Sequence, residues 1–206
     1  NAEERKFKIL RICFDSGSKQ IGVLLKDFGF KLDGIEYGFD IRSFYPKILN
    51  ENLLKGPFRV RHMDYNSDID AIEMLESQIH RSDPSSRVKF ETMAAKASLR
   101  KYYLGRCDEL NAFVLEYCDH ERLEYAGVCG FMRDYQRPHY AHISSIGLDL
   151  KYQRQRMMFP FLIEAHSMSQ FANCFRLSGV TTTDKLVQLA DSRGAEVFGY
   201  SWSKEV

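Results

Sequence analysis

Apolar and polar positions along this chain follow two rhythms, and the switches between them mark the elements. Lys6 to Phe14 (KFKILRICF) is apolar and rich in β-formers, which predicts a buried strand. Asp15-Ser16-Gly17-Ser18 offers helix-capping side chains, and Ile21, Leu24, Leu25 and Phe28 then recur at helical spacing. Gly29 stops that helix, and Ile35 to Ile41 predicts a second strand. The far end repeats the order. Cys174 to Val180 reads as a strand, and Thr181-Thr182-Thr183-Asp184 as a cap cluster. Leu186, Leu189 and Ala190 form a helix face, Gly194-Ala195 a stop, and Val197 to Trp202 a closing strand. Two distant segments with one plan point to an internal half-repeat.

Between them lies a longer block. Ser43 to Pro57 reads as a linker punctuated by Pro46, Gly56 and Pro57. Phe58 to His62 alternates as a strand does. Ser67 or Asp68 caps a helix carrying Ile69, Ile72, Leu75 and Ile79. His80 to Arg87 is expected to be loop, and Val88 to Leu104 helix. Leu110 to Tyr117, Tyr125 to Tyr135 and Tyr140 to Leu150 predict three successive strands, antiparallel because polar turns join them. A long helix is expected from about Arg156 to Ala172, with Met158, Phe161, Leu162, Ala165 and Met168 as its apolar stripe.

Composition narrows the class. At 206 residues, 44% hydrophobic and 28% charged, the chain is of globular type. No run approaches the ~20 apolar residues of a membrane-crossing helix. Twenty-nine basic against 28 acidic side chains leave a formal charge of +1, which speaks against nucleic acid as a partner. The five cysteines are scattered and form no C-x-x-C pair, so neither a disulfide framework nor a metal site is expected, and a reducing, cytoplasmic setting is. No leader is visible, and the opening Asn1-Ala2 reads as a trimmed terminus. Cys118-Asp119-His120-Glu121 has the composition of a metal cluster, but adjacent residues on a hairpin turn rarely converge on one ion.

From Phe58 to Trp202 the order is strand, two helices, three strands, helix, strand, helix, strand. With the third of those strands and its following helix (HISSIGLDLKYQRQRMM, from His142), this order resembles the GCN5-related N-acetyltransferase (GNAT) superfamily. Gln153 stands at the first position of the family's [Q/R]-x-x-G-x-[G/A] pyrophosphate loop, while Arg156 and Met158 replace its two small residues. The first 42 residues, including LLKDFGFKLDGIEYGFDI, resemble a truncated half-unit found before the complete domain in nucleotide-sugar acetyltransferases of this superfamily, and Ser77 to Pro84 resembles a substrate-side loop there.

The resemblance implies an α/β fold with a mixed, mostly antiparallel central sheet and flanking helices. Residues 1–45 would be the partial unit, 46–57 the linker and 58–206 the acetyltransferase-like domain. It implies acetyl-CoA as acyl donor, without a metal, and a small amine as acceptor, with a nucleotide-linked 4-amino sugar as the expected one. Donor contacts would come from Leu148, Leu150, Gln153, Arg154, Gln155, Arg156, Met157, Met158 and Thr183. Free N–H groups at a helix start hold the pyrophosphate in such a loop, and glycines let the backbone come close. Either Lys151, Arg154 and Arg156 replace the lost glycines by charge-assisted bonds, or they form a solvated basic rim. His142, before the apolar Ile143, is the candidate base. The family's general-acid tyrosine has no counterpart at Ala190, which leaves Tyr200 or Tyr152 as candidates. Tyr102-Tyr103 and Phe90 either line a substrate pocket or pack their helix, and His139 has no partner visible in the sequence. A non-catalytic ligand- or protein-binding module and an acyltransferase using a carrier-protein donor are the rivals. A homodimer through sheet edges or the aromatic strand Val197 to Trp202 is a further expectation.

Overall fold

The computed structural model describes residues 9–15, 17, 19–44, 54, 56–82, 100–106, 108–119, 122–153, 157–181 and 194–205. They form two compact units, residues 1–39 with 178–206 and residues 40–177. Both are α/β, with antiparallel strand pairing and helices packed on it.

The first unit brings the two ends of the chain together. Strand β1 (Ile9–Asp15), helix α1 (Lys19–Asp27) and strand β2 (Lys31–Asp40) come from one end, and β8 (Glu196–Glu205) from the other. β8 lies between β1 and β2 and is antiparallel to both. The half-repeat segments thus share one sheet, although residues 182–193, which include the predicted second helix, lie outside the described residues. α1 does not bury the stripe its spacing predicted: Ile21, Leu24 and Phe28 are exposed, and of the four only Leu25 is buried. The cause is Gly22. A Cβ there would stand 2.9 Å from Cζ2 of Trp202, so the helix meets the sheet through its glycine and turns the larger side chains outward.

The second unit carries β3 (Phe58–His62), α2 (Ile69–Ser82), β4 (Asn111–Asp119), β5 (Arg122–Arg133) and β6 (Ala141–Leu148). Helices α3 (Leu150–Gln153) and α4 (Met158–Met168) follow. β7 (Arg176–Thr181) begins here and ends in the first unit. The sheet order is β6-β5-β4-β3. On one face Ile72 and Leu75 of α2 pack with Tyr103, Leu110, Val114 and Val128. On the other lie Phe161 and His166 of α4, the imidazole edge-on to Phe131 at 5.7 Å between centroids.

Several boundaries differ from expectation. α2 continues through Ser82, so His80 to Ser82, and the part of the substrate-side loop from Ser77, are helix. Glu76 and Ile79 prolong its inward face, and Asp83-Pro84, with the rest of the expected loop, lie outside the described residues. Of the helix expected over Val88 to Leu104, residues 100–104 are described and helical. The helix expected from Arg156 to Ala172 is shorter. At Ser169 the backbone becomes extended, and both its N–H and its hydroxyl donate to the His166 carbonyl. The linker expected over Ser43 to Pro57 falls mostly outside the described residues, after a 3-10 turn at Ile41–Phe44.

A charged network ties β3 and β4 to the start of α2. Glu116, 1% exposed, accepts from Nε of Arg59 at 2.5 Å and Nε of Arg61 at 2.7 Å. The Arg61 fork also donates to both carboxylate oxygens of Asp68, at 2.6 and 2.9 Å, and the Tyr125 hydroxyl donates to Asp68 at 2.7 Å. Asp68 accepts further from the Asp64 N–H, and its own carbonyl takes the Ile72 N–H, as an N-cap should. The Arg61 guanidinium, opposed by burial, holds the Asp68 carboxyl at about 2.

Candidate functional site

The third strand of the middle block is broken by one residue. Gly130 of β5 pairs with Ser145 of β6, but the next residue, Phe131, pairs with Ile143, so Ser144 is extra. Such a bulge places two successive side chains on one side of the strand. Here both are serines: a Cβ on Gly130 would lie 2.6 Å from Ser144 Oγ and 3.2 Å from Ser145 Oγ. The glycine is what leaves room for them. Alternation then resumes, and carries His142 to the same side as the serines.

That side faces α2 and Tyr103. The Tyr103 hydroxyl donates to Glu76 Oε1 at 2.7 Å and lies 3.2 Å from Ser145 Oγ. Tyr103 is fully enclosed and Glu76 is buried. Burial first, then the neighbouring Glu76 charge, pushes the Tyr103 phenol well above its ordinary range, so it stays protonated and donates. Ser144 Oγ and the buried Ser77 Oγ have no hydrogen-bond partner among the described residues. An acid, a phenol and two serine hydroxyls therefore gather at one bulge, with His142 on the same face of the strand. The sequence held a sign of this: Glu76 sits on an otherwise apolar helix face, between Ile72 and Ile79, and Ser144-Ser145 interrupt an apolar strand.

The far end of β6 leads into the expected donor loop. Leu148 is buried toward α4, where a Cβ on Gly127 would touch both its Cδ2 and Phe161. The Asp149 carboxylate takes the Lys151 N–H at 2.8 Å and starts the single turn of α3, whose Leu150 is exposed. Gln153 donates its side-chain amide to the Leu148 carbonyl at 3.0 Å. Tyr152 is buried, stacks on Tyr117 with centroids 5.4 Å apart and donates to Glu124. Lys151, one of three cations expected at phosphates, has its ammonium on Glu124 at 2.8 Å. Arg154, Gln155 and Arg156 lie outside the described residues, as does Thr183. Met157 is the N-cap of α4 with no side-chain cap bond, and Met158 is its first residue. Pro160, in the first turn, has no N–H to offer an anion.

These residues fit a pyrophosphate only in part: the helix start is present, but with one donor fewer and two methionines beside it. Tyr200 lies in the first unit on β8, in register with Phe14 and Ile35. Cys118 and Asp119 pair with Leu123 and Arg122 across the β4–β5 turn. No group of three or more potential metal ligands occurs among the described residues, and none of the described helices is long and apolar enough to cross a membrane.

The sequence matches no family model and no curated protein. Solved structures do match. A GCN5-related N-acetyltransferase from Sphaerobacter thermophilus superposes with a TM-score of 0.60 at 12% identity, over 97% of this chain and 60% of the other. The tandem GNAT protein of the clavulanic acid biosynthesis pathway gives 0.60 at 11%, over 96% of this chain and 64% of its own. A conserved protein of unknown function from Staphylococcus epidermidis gives 0.60 at 15%, over 96% and 72%. The chain thus spans less than two thirds of the length of the two GNAT proteins. At these identities the likeness concerns architecture: this chain has the fold of the GCN5-related N-acetyltransferases.

Proposed function

We propose that the protein is an acyl-CoA-dependent N-acetyltransferase acting on a small amine. The observation that carries the reading is the bulge in β6, which joins His142, Ser144 and Ser145 to the Tyr103–Glu76 pair on one face of a GNAT-type sheet. Acetyl-CoA would supply an electrophilic thioester. Gln153, Met157 and Met158, with the backbone at Leu148 and Leu150, would hold it, together with Arg154, Gln155, Arg156 and Thr183. His142 would take the proton of the acceptor ammonium, since only the neutral amine is a nucleophile. The buried Glu76 favours a cationic acceptor over an anionic one by charge. The assignment of Tyr200 as proton donor to the departing thiolate rests on sequence. A nucleotide-linked 4-amino sugar is the proposed acceptor, because the first 42 residues resemble the N-terminal half-unit of TDP-fucosamine acetyltransferase.

The test is thiol release from acetyl-CoA in the presence of a panel of amines that includes a nucleotide-linked 4-amino sugar. Amine-dependent release that His142→Ala reduces at least tenfold supports the reading. Release from no amine counts against it. A second reading, a non-catalytic GNAT-fold binding module, is favoured by Pro160 and the two methionines at the helix start. It predicts that acetyl-CoA does not bind at millimolar concentration.

A further inference from the structure

A depression of about 690 Å³ lies in the second unit, past the C-terminal end of α4. That volume is within the usual range for small-molecule sites. The donor loop stands at the opposite end of α4, whose 11 residues span roughly 16 Å at 1.5 Å per residue. The depression is therefore not the pyrophosphate site.

Its chemistry is one-sided. Arg42 and Arg176 line it with His139, Gln170, Asn173 and Phe175. Asp40 grips one edge of the Arg42 guanidinium, through Nε at 2.9 Å and Nη2 at 2.5 Å, and leaves Nη1 outside that grip. The Arg176 guanidinium has no carboxylate on it among the described residues; it lies over the Tyr140 ring at 5.8 Å. Asp40 pairs directly with Arg42 and also feels the Arg176 charge, so one carboxylate stands against two cations. Phe175, 45% exposed, lies beneath the Arg42 guanidinium at 4.8 Å and presents an apolar surface within the same hollow. Its backbone fixes the place: the Phe175 carbonyl accepts the Ile41 N–H at 2.8 Å and binds the Arg42 segment to the start of β7.

We propose that this depression is a second ligand site, for a small carboxylate or phosphate anion carried on a flat apolar body. Arg176 and the open edge of Arg42 take the anion, the amides of Gln170 and Asn173 orient it, and Phe175 receives the ring. This site does not depend on the acetyltransferase reading. Arginine suits it because its planar fork matches either oxyanion with two parallel bonds.

The experiment is titration of the protein with benzoate, phenyl phosphate and neutral benzamide, followed by NMR shifts or calorimetry. Millimolar or tighter binding of one anion and at least tenfold weaker binding of benzamide are expected, and the two anions tell carboxylate from phosphate. Arg176→Ala should weaken the better anion at least tenfold and Arg176→Lys less, with unchanged melting temperatures. Binding that survives Arg176→Ala, is displaced by acetyl-CoA, is equal for benzamide, or is absent for both anions overturns the proposal.

Discussion

Tyr103 donates its hydroxyl to Glu76 at 2.7 Å across two helical segments, and neither side chain meets appreciable solvent. Removing the donor takes one hydrogen bond from a buried acidic side chain. Tyr103→Phe should cost about 1–3 kcal/mol, read by urea denaturation. Glu76→Gln keeps an acceptor oxygen for the phenol and should cost less. A Tyr103→Phe protein as stable as the parent would mean that the pair is not closed to water.

The Asp68 network predicts an acid-labile contribution. Its carboxyl titrates at about 2 when folded, against an ordinary 3.8, so the unfolded chain binds the proton more readily. The stabilisation is complete above pH ~4 and is lost as pH falls through ~2, on the order of 2 kcal/mol in all. Denaturation curves across that window should fall more steeply for the parent than for Asp68→Asn. Parallel curves would contradict the assignment.

Gly147 holds β6 against α2. A Cβ there would lie 2.5 Å from Cδ1 of Ile79 and within 3.3 Å of two more of its carbons. Gly147→Ala should cost about 1–3 kcal/mol by overpacking. The penalty should shrink in an Ile79→Ala background, with a coupling of about 0.5–3 kcal/mol in the double-mutant cycle. Additive effects would show that the strand yields in some other way.

Pro160 removes one first-turn donor from α4. Pro160→Ala restores an N–H there, and coenzyme A affinity should rise by about 0.5–1.5 kcal/mol, or roughly two- to tenfold, in a calorimetric titration. Unchanged or weaker binding would place the phosphates elsewhere.

Much of the strand order was legible because alternation and turn residues are local signals. Phe58–His62 matches its expected bounds, and the three strands of the middle block lie within a few residues of theirs. The face of α1 was not legible. Its spacing selects Ile21, Leu24 and Phe28, yet contact with Trp202, some 180 residues distant, selects Gly22. The bulge at Ser144 was equally hidden, since an extra residue shows only against a partner strand. His142 could be chosen from its position in the sequence, but the shift that puts it on the side of Tyr103 could not. Glu76 went unnoticed for a related reason: a single acid on a helix reads as surface until Tyr103 closes over it.

The central claim, that this GNAT fold serves acyl transfer from coenzyme A, is tested most directly by acetyl-CoA binding. Chemical denaturation with and without ligand measures it. At about a hundred times the dissociation constant, acetyl-CoA should stabilise the protein by about 2.7 kcal/mol. No stabilisation at millimolar acetyl-CoA, in both the parent and Pro160→Ala, would contradict the claim.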